Sequence, residues 1–297
     1  MNSIKIKDDD VAITGIAGKF PKSRNVQEFA SNLFNKIDMT DDSDERFKKF
    51  SDEFPHRSGK ISDLDKFDAS FFSMLKDQTK STDRQMRILL EYSYEAIFDA
   101  GISPQTLIGS NTGVCRYIKS GACDAALVTS CHIILTSFMF ENFNAMKMLA
   151  IDGISKIFDE DSKGFVQAET ISVIFLQKLK DSKRIYAHLI HSLSNNDGFK
   201  IEGSSLPSQE IQQKLMTKFY QDINFDPREI KFFEAHATGT KLGDPQEVNA
   251  IDTVCCQNRS DQLIIGSTKS NMGHSEPSSG LVSVAKIIIA FENNTSN

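Results

Sequence analysis

Six short β-rich runs, at residues 11–16, 125–130, 171–177, 186–193, 230–236 and 263–268, alternate with amphipathic stretches, and no other feature constrains this chain as much. Strands that alternate with helices bury their sheet beneath helical layers, so the pattern predicts an α/β layered fold. Three helices are legible. In residues 84–100, Met86, Leu89, Leu90, Tyr94 and Ile97 are read as one apolar face, with Gly101 as the stop. A second helix is signalled by Asp244, Pro245 and Glu247, read as N-cap, first turn and capping-box acid. A third runs from about Pro277, with Leu281, Val284, Ala285, Ile288 and Ile289 on one stripe. Residues 36–66 are polar, acidic and without period, and read as a long surface excursion.

Composition excludes several roles. With 39% apolar residues in 297, the chain can bury a sizeable interior. A net charge of −6 without a Lys/Arg cluster leaves no nucleic-acid face and no basic membrane surface. No apolar run is long enough for a membrane span. The N-terminus carries no secretory h-region, so the five cysteines (115, 123, 131, 255, 256) read as reduced thiols of a cytoplasmic protein. None has C-x-x-C spacing, so no zinc site is expected, and no bound cofactor either.

Two histidine-centred segments carry chemistry. In residues 234–240 (EAHATGT) an apolar strand runs into His236 and then a Gly/Thr turn, with Gly243-Asp244-Pro245 following. In residues 266–274 (GSTKSNMGH) a strand ends near Lys269, and an Asn-x-Gly turn presents His274 just before a helix. Strand carboxyl ends are where α/β sheets place their sites. Two neutral imidazoles can donate N–H bonds to a developing enolate oxygen, and a lysine can hold such a group in place. His132, His188 and His191 lie in strand patterns and read as ordinary strand residues.

These motifs resemble the EAHGTGT…GDP and GSVKSNIGHTEAAAG motifs of β-ketoacyl synthases, most closely the ketosynthase domains of type I polyketide synthases. The opening VAITGIAGKFP, then FDASFF, DRQMRILLEYSYEAIFDAG, SGACDAALV, KIFDEDSKGFV and NNDG match the family's segments in the same order. The resemblance implies a thiolase-like α/β/α fold and a homodimer. It implies a Cys-His-His mechanism of chain extension by decarboxylative Claisen condensation. The cysteine takes an acyl group from the phosphopantetheine arm of an acyl carrier protein, and the histidines promote decarboxylation of a malonyl extender. By motif, His236 and His274 are those histidines and Lys269 the supporting lysine.

The family's nucleophile sits in a DTACSSS-like segment at a helix N-terminus, where the dipole favours thiolate. This chain has no such segment: residues 111–114, like the strand well before the nucleophile, run directly into residues 115–121, like the end of the helix after it. Cys115 reads as a small apolar filler rather than a relocated nucleophile. Residues 1–291 are accordingly expected to form an incomplete ketosynthase domain, lacking the cysteine segment at the 114–115 junction and the family's later sheet half, with 292–297 a polar tail. Smaller departures are Ala237 for a glycine, residues 167–170 (QAET) for RGEGA, and Pro277-Ser278-Ser279 for a run of alanines. Three functions follow from this reading: a domain unable to condense, a malonyl-thioester decarboxylase using the two histidines, or a non-catalytic partner of an acyl carrier protein or intact synthase. The absent segment coincides with the family's pairing region, which predicts poor stability and aggregation, and the missing later sheet half predicts an exposed stripe on the last helix. Pairing of residues 125–130 with residues 11–16 is the expected route to compensation.

Overall fold

The computed structural model describes residues 5–42, 55, 57–110, 112–113, 118, 122–200 and 206–293. Cys115, the 114–115 junction and residues 294–297 lie outside them. The strands are β1 (Val11–Lys19), β2 (Thr40–Asp41), β3 (Ser58–Gly59), β4 (Thr112–Gly113), β5 (Ala125–His132), β6 (Thr170–Lys178), β7 (Ala187–Leu189), β8 (Phe232–Glu234) and β9 (Ile264–Gly266). The described helices are α1 (Val26–Phe34), α2 (Lys76–Ser81), α3 (Arg84–Asp99), α4 (Phe138–Ala145), α5 (Gln209–Asp222), α6 (Gly243–Ile251), α7 (Lys269–Met272) and α8 (Ser279–Glu292). Each predicted strand is present, the last three shortened to three residues each.

The main sheet has the order β4-β5-β6-β1-β7. β6 is antiparallel to both β1 and β5, and β7 is antiparallel to β1. All nine residues of β1 are buried, because helices cover both faces. Ile174 and Leu176 of β6 share a core with Phe29 of α1 and with Val282, Ala285, Ile288 and Ile289 of α8. The alternate residues Ile171, Val173 and Phe175 share another with Ile88, Tyr92, Ala96 and Ile97 of α3. This is a three-layer α/β/α arrangement. A bulge at Thr14 adjusts the register so that Val11, Ile13 and Ile16 face the same core despite their odd spacing. Gly15 lets α3 lie against the strand: a Cβ there would sit 1.9 Å from the carbonyl oxygen of Ala96.

Four expectations are corrected. The buried residues of α3 are Ile88, Tyr92, Ala96 and Ile97; of the predicted face, Ile97 is buried and Leu89 packs on the same core, while Met86 and Leu90 are exposed. Two i, i+4 stripes two residues apart lie on nearly opposite faces of a helix, and the sheet took the other one. Residues 125–130 do not pair with residues 11–16, because β6 lies between them and satisfies both. The stripe of α8 is not exposed: Val282, Ala285, Ile288 and Ile289 pack onto the main sheet. Residues 36–66 are not wholly a surface excursion. β2 pairs with β3, and Met39, Ile61 and Leu64 are buried.

β8 and β9 form a separate parallel pair. Ala235, Ala237, Ile251 and Cys255 form its small core, with Met216 and Tyr220 of α5 packed against it. Among the described residues, no helix is long and apolar enough to cross a membrane.

Candidate active site

The parallel register of β8 and β9 (Glu234 opposite Gly266) brings the two histidine motifs to the same end of one sheet. His236 follows β8 by two residues, and Lys269 opens α7 three residues after β9. The chain then turns at Gly273, φ +84°, where a Cβ would press within 2.6 Å of the Val166 carbonyl oxygen, so only glycine suits this turn. His274 follows and docks on the segment before β6. Its N–H donates to Val166 (2.7 Å), and its carbonyl accepts from the Ala168 N–H (2.9 Å).

The two imidazoles thus meet edge to face, with ring centroids 5.1 Å apart at 85°. Phe165 also meets His274 edge to face, with ring centroids 5.1 Å apart. Lys269 is 2% exposed. All three sequence-predicted residues therefore lie in one site.

Three carboxylates hold the site, and the motif reading missed their role. Glu247 accepts the N–H groups of His236 and Ala237, both at 2.8 Å. Asp244 is buried and accepts from Gly239 (3.1 Å), Thr240 (3.2 Å) and Phe158 (3.1 Å). Neither is the expected helix cap: Leu242 occupies the N-cap, and both acids reach back to the histidine turn. Glu234 spans the third junction, accepting from the Thr268 N–H (2.7 Å) and pairing with Lys286 of α8 (2.6 Å). An acid three residues into a helix looks the same in sequence whether it caps the helix or clamps a neighbouring loop. The two acids in one short segment after a turn were the available signal.

The electrostatics favour neutral rings. Burial, then the charge of Lys269, push His236 down to about 4. Burial, then His236, Lys269 and His132, push His274 down to about 2. His236 keeps an edge open to solvent, so water softens its desolvation, and both rings are neutral at pH 7. The Nδ1 atom of His274 is buried without a hydrogen-bond partner. Burial also lowers Lys269, opposed by Glu234, Glu247 and Asp244.

Cys131, Cys255 and Cys256 are not activated. Burial pushes the thiol of Cys131 up to about 12 and that of Cys255 up to about 11, and raises Cys256. His132 is more than a strand residue: its ring bonds the Ala168 carbonyl (2.9 Å) and approaches Glu276 (3.9 Å).

Fold and site together define a thiolase-like chain with a His-His-Lys centre. The chain belongs to the β-ketoacyl synthase family. The family's N-terminal domain matches residues 8–116 and 114–182, and its C-terminal domain matches residues 186–296. A fatty acid synthase of Anser anser anser is 37% identical in an alignment of 348 residues, covering 96% of this chain and 99% of that one. The highly reducing polyketide synthase gloL of Glarea lozoyensis is 32% identical, covering 82% of this chain but 12% of its own length. Among solved structures, the ketosynthase from module 6 of the bacillaene synthase of Bacillus subtilis superposes with a TM-score of 0.85 at 28% identity, over 95% of this chain and 60% of that one.

Proposed function

We propose that this chain is a ketosynthase-type domain, related to those that extend polyketide and fatty-acid chains, that does not itself condense acyl units. One observation carries the reading: the match to the family's N-terminal domain breaks into two pieces that meet at residues 114–116, where the nucleophile segment would fall. The length of the goose alignment supports it. At 348 residues it exceeds the 297 of the whole chain, so at least 51 positions have no counterpart here. Without a thiolate no acyl-enzyme forms, and covalent catalysis stops at its first step. The test offers purified protein an acyl-pantetheine and a malonyl-pantetheine thioester together. No β-ketoacyl product is the expected result, and turnover to that product overturns the reading.

The histidine pair supports a second, partial activity: decarboxylation of a malonyl thioester. The bond from the α-carbon to the carboxylate breaks, carbon dioxide leaves, and its electron pair moves to the enolate oxygen. Neutral His236 and His274 are suited to donate N–H bonds to that oxygen, and the carbanion then takes a proton from water. Carbon dioxide release by wild type and His274→Ala is the check. Losing one such donor costs roughly 10²–10³ in rate, so equal nonzero rates rule this assignment out.

A further inference from the structure

A closed ring of polar contacts joins the main sheet to the His274 turn. His132, at the end of β5, bonds the Ala168 carbonyl through Nδ1 (2.9 Å). Ala168 donates its N–H to the His274 carbonyl (2.9 Å). Two residues on, Glu276 places Oε2 3.9 Å from His132 Nε2 and accepts from Gln167 Nε2 on Oε1 (2.6 Å). Gln167 is 1% exposed, and its Oε1 is buried without a partner. Glu276 has φ +45°, a left-handed conformation that a side chain makes costly and that surrounding contacts must hold.

We propose that His132 and Glu276 form a proton-dependent latch that fixes the His274 turn, and with it the geometry of the histidine pair. The chemistry of the ring nitrogens carries this. A carbonyl oxygen only accepts, so His132 Nδ1 must bear a hydrogen. A neutral ring then turns the lone pair of Nε2 toward a carboxylate. Only the imidazolium makes both contacts attractive. Gln167 stands where the family motif carries an arginine, so the neighbour that bonds Glu276 is a neutral amide, and His132, once protonated, is the cation that faces Glu276. The carboxylates that act on the neighbouring Cys131 are otherwise engaged. Glu169 accepts from Ile61 (3.0 Å) and Ile134 (3.1 Å), and Asp83 caps α3. Lys269 and His236 also act on His274, and a protonated His132 adds to their effect in keeping that ring neutral. His132, Glu276 and Gln167 are positioning residues. Their bearing on decarboxylation rests on the proposed function, but the latch does not.

Hydrogen exchange at the Ala168 and His274 amides reads the latch directly, using the full chain. In wild type, protection of both amides, corrected for intrinsic exchange, falls as pH rises through the His132 titration followed by histidine-ring NMR. In His132→Asn, protection is at least tenfold lower at every pH and its pH dependence is gone, while the His274 ring titrates at higher pH. Adding Gln167→Arg to that variant supplies a permanent cation and restores protection without pH dependence. Glu276→Gln serves as the second variant should His132→Asn fail to fold, with the same loss of protection expected. Unchanged protection in the variants, or wild-type protection indifferent to the charge on His132, overturns the proposal. Neither readout depends on turnover, so absence of decarboxylation leaves this test intact.

Discussion

The two halves of the molecule are held by different forces. The two central strands of the main sheet are dry: β1 is buried along its whole length, β6 along eight of its nine residues, and both faces carry helices. The β8–β9 pair is two short strands, none of whose residues is fully buried, and its loops are tied by the carboxylates of Glu234, Asp244 and Glu247. Apolar burial is non-directional and fixes the body, while hydrogen bonds aim the histidine turns. Changes in the first half should therefore cost stability and leave the histidines' chemistry intact. Changes in the second should alter both.

The largest effect sits in the body. Phe175 is fully buried between the sheet and α3, and Phe175→Ala is expected to cost about 3–5 kcal/mol in urea unfolding. Glu234→Gln comes next. It leaves Lys286 without its anion across a contact where the two side chains are 15% and 4% exposed, a loss of about 3 kcal/mol at the low end for a broken buried pair. It also removes the foremost charge that raises Lys269, whose pKa drops further. A stability loss as large as for Phe175→Ala with no change at Lys269 breaks the comparison.

Acid sharpens it. Both site histidines titrate below the ordinary 6.5 in the folded chain, so the unfolded chain takes up protons first. Their contribution is complete above pH 6.5 and is lost as pH falls toward about 4 for His236 and about 2 for His274. His274 is the better buried, and its share approaches a slope of about 1.4 kcal/mol per pH unit. Urea midpoints between pH 7 and pH 4 should fall less steeply for His274→Gln than for wild type; identical slopes contradict the assignment.

The smallest effects come from departures from the family motifs. Ala237 lies at φ +25°, where glycine is at ease, and Ala237→Gly is expected to gain about 1 kcal/mol. Ser278 is fully buried with its hydroxyl unpartnered, and Ser278→Ala should gain about 1 kcal/mol by removing that orphan. Thermal unfolding of each variant checks the sign. A loss in either means that the departure is compensated by its surroundings.

The contrast between the halves also explains what the sequence disclosed. β-rich runs such as residues 171–177 advertise burial by composition, and β6 appears there with one residue more at each end. His236, Lys269 and His274 were legible because glycine and hydroxyl residues around a strand-end histidine have no packing use. The choice between the two stripes of α3 was not legible, because Met86-Leu90-Tyr94 and Ile88-Tyr92-Ala96 have the same spacing and only the sheet distinguishes them. The service of Asp244 and Glu247 was hidden for a related reason: a cap and a clamp need the same residue. His132 was passed over because its partners, Ala168 and Glu276, are 36 and 144 positions away, and no local pattern reports such a contact.

The central claim is that an ordered histidine pair stands here without a nucleophile to serve. Intact-mass spectrometry of the protein after incubation with a labelled acyl-pantetheine thioester tests it most directly. The predicted result is an unchanged mass and no covalent label on any cysteine. Stoichiometric acylation, at Cys115 above all, contradicts the account.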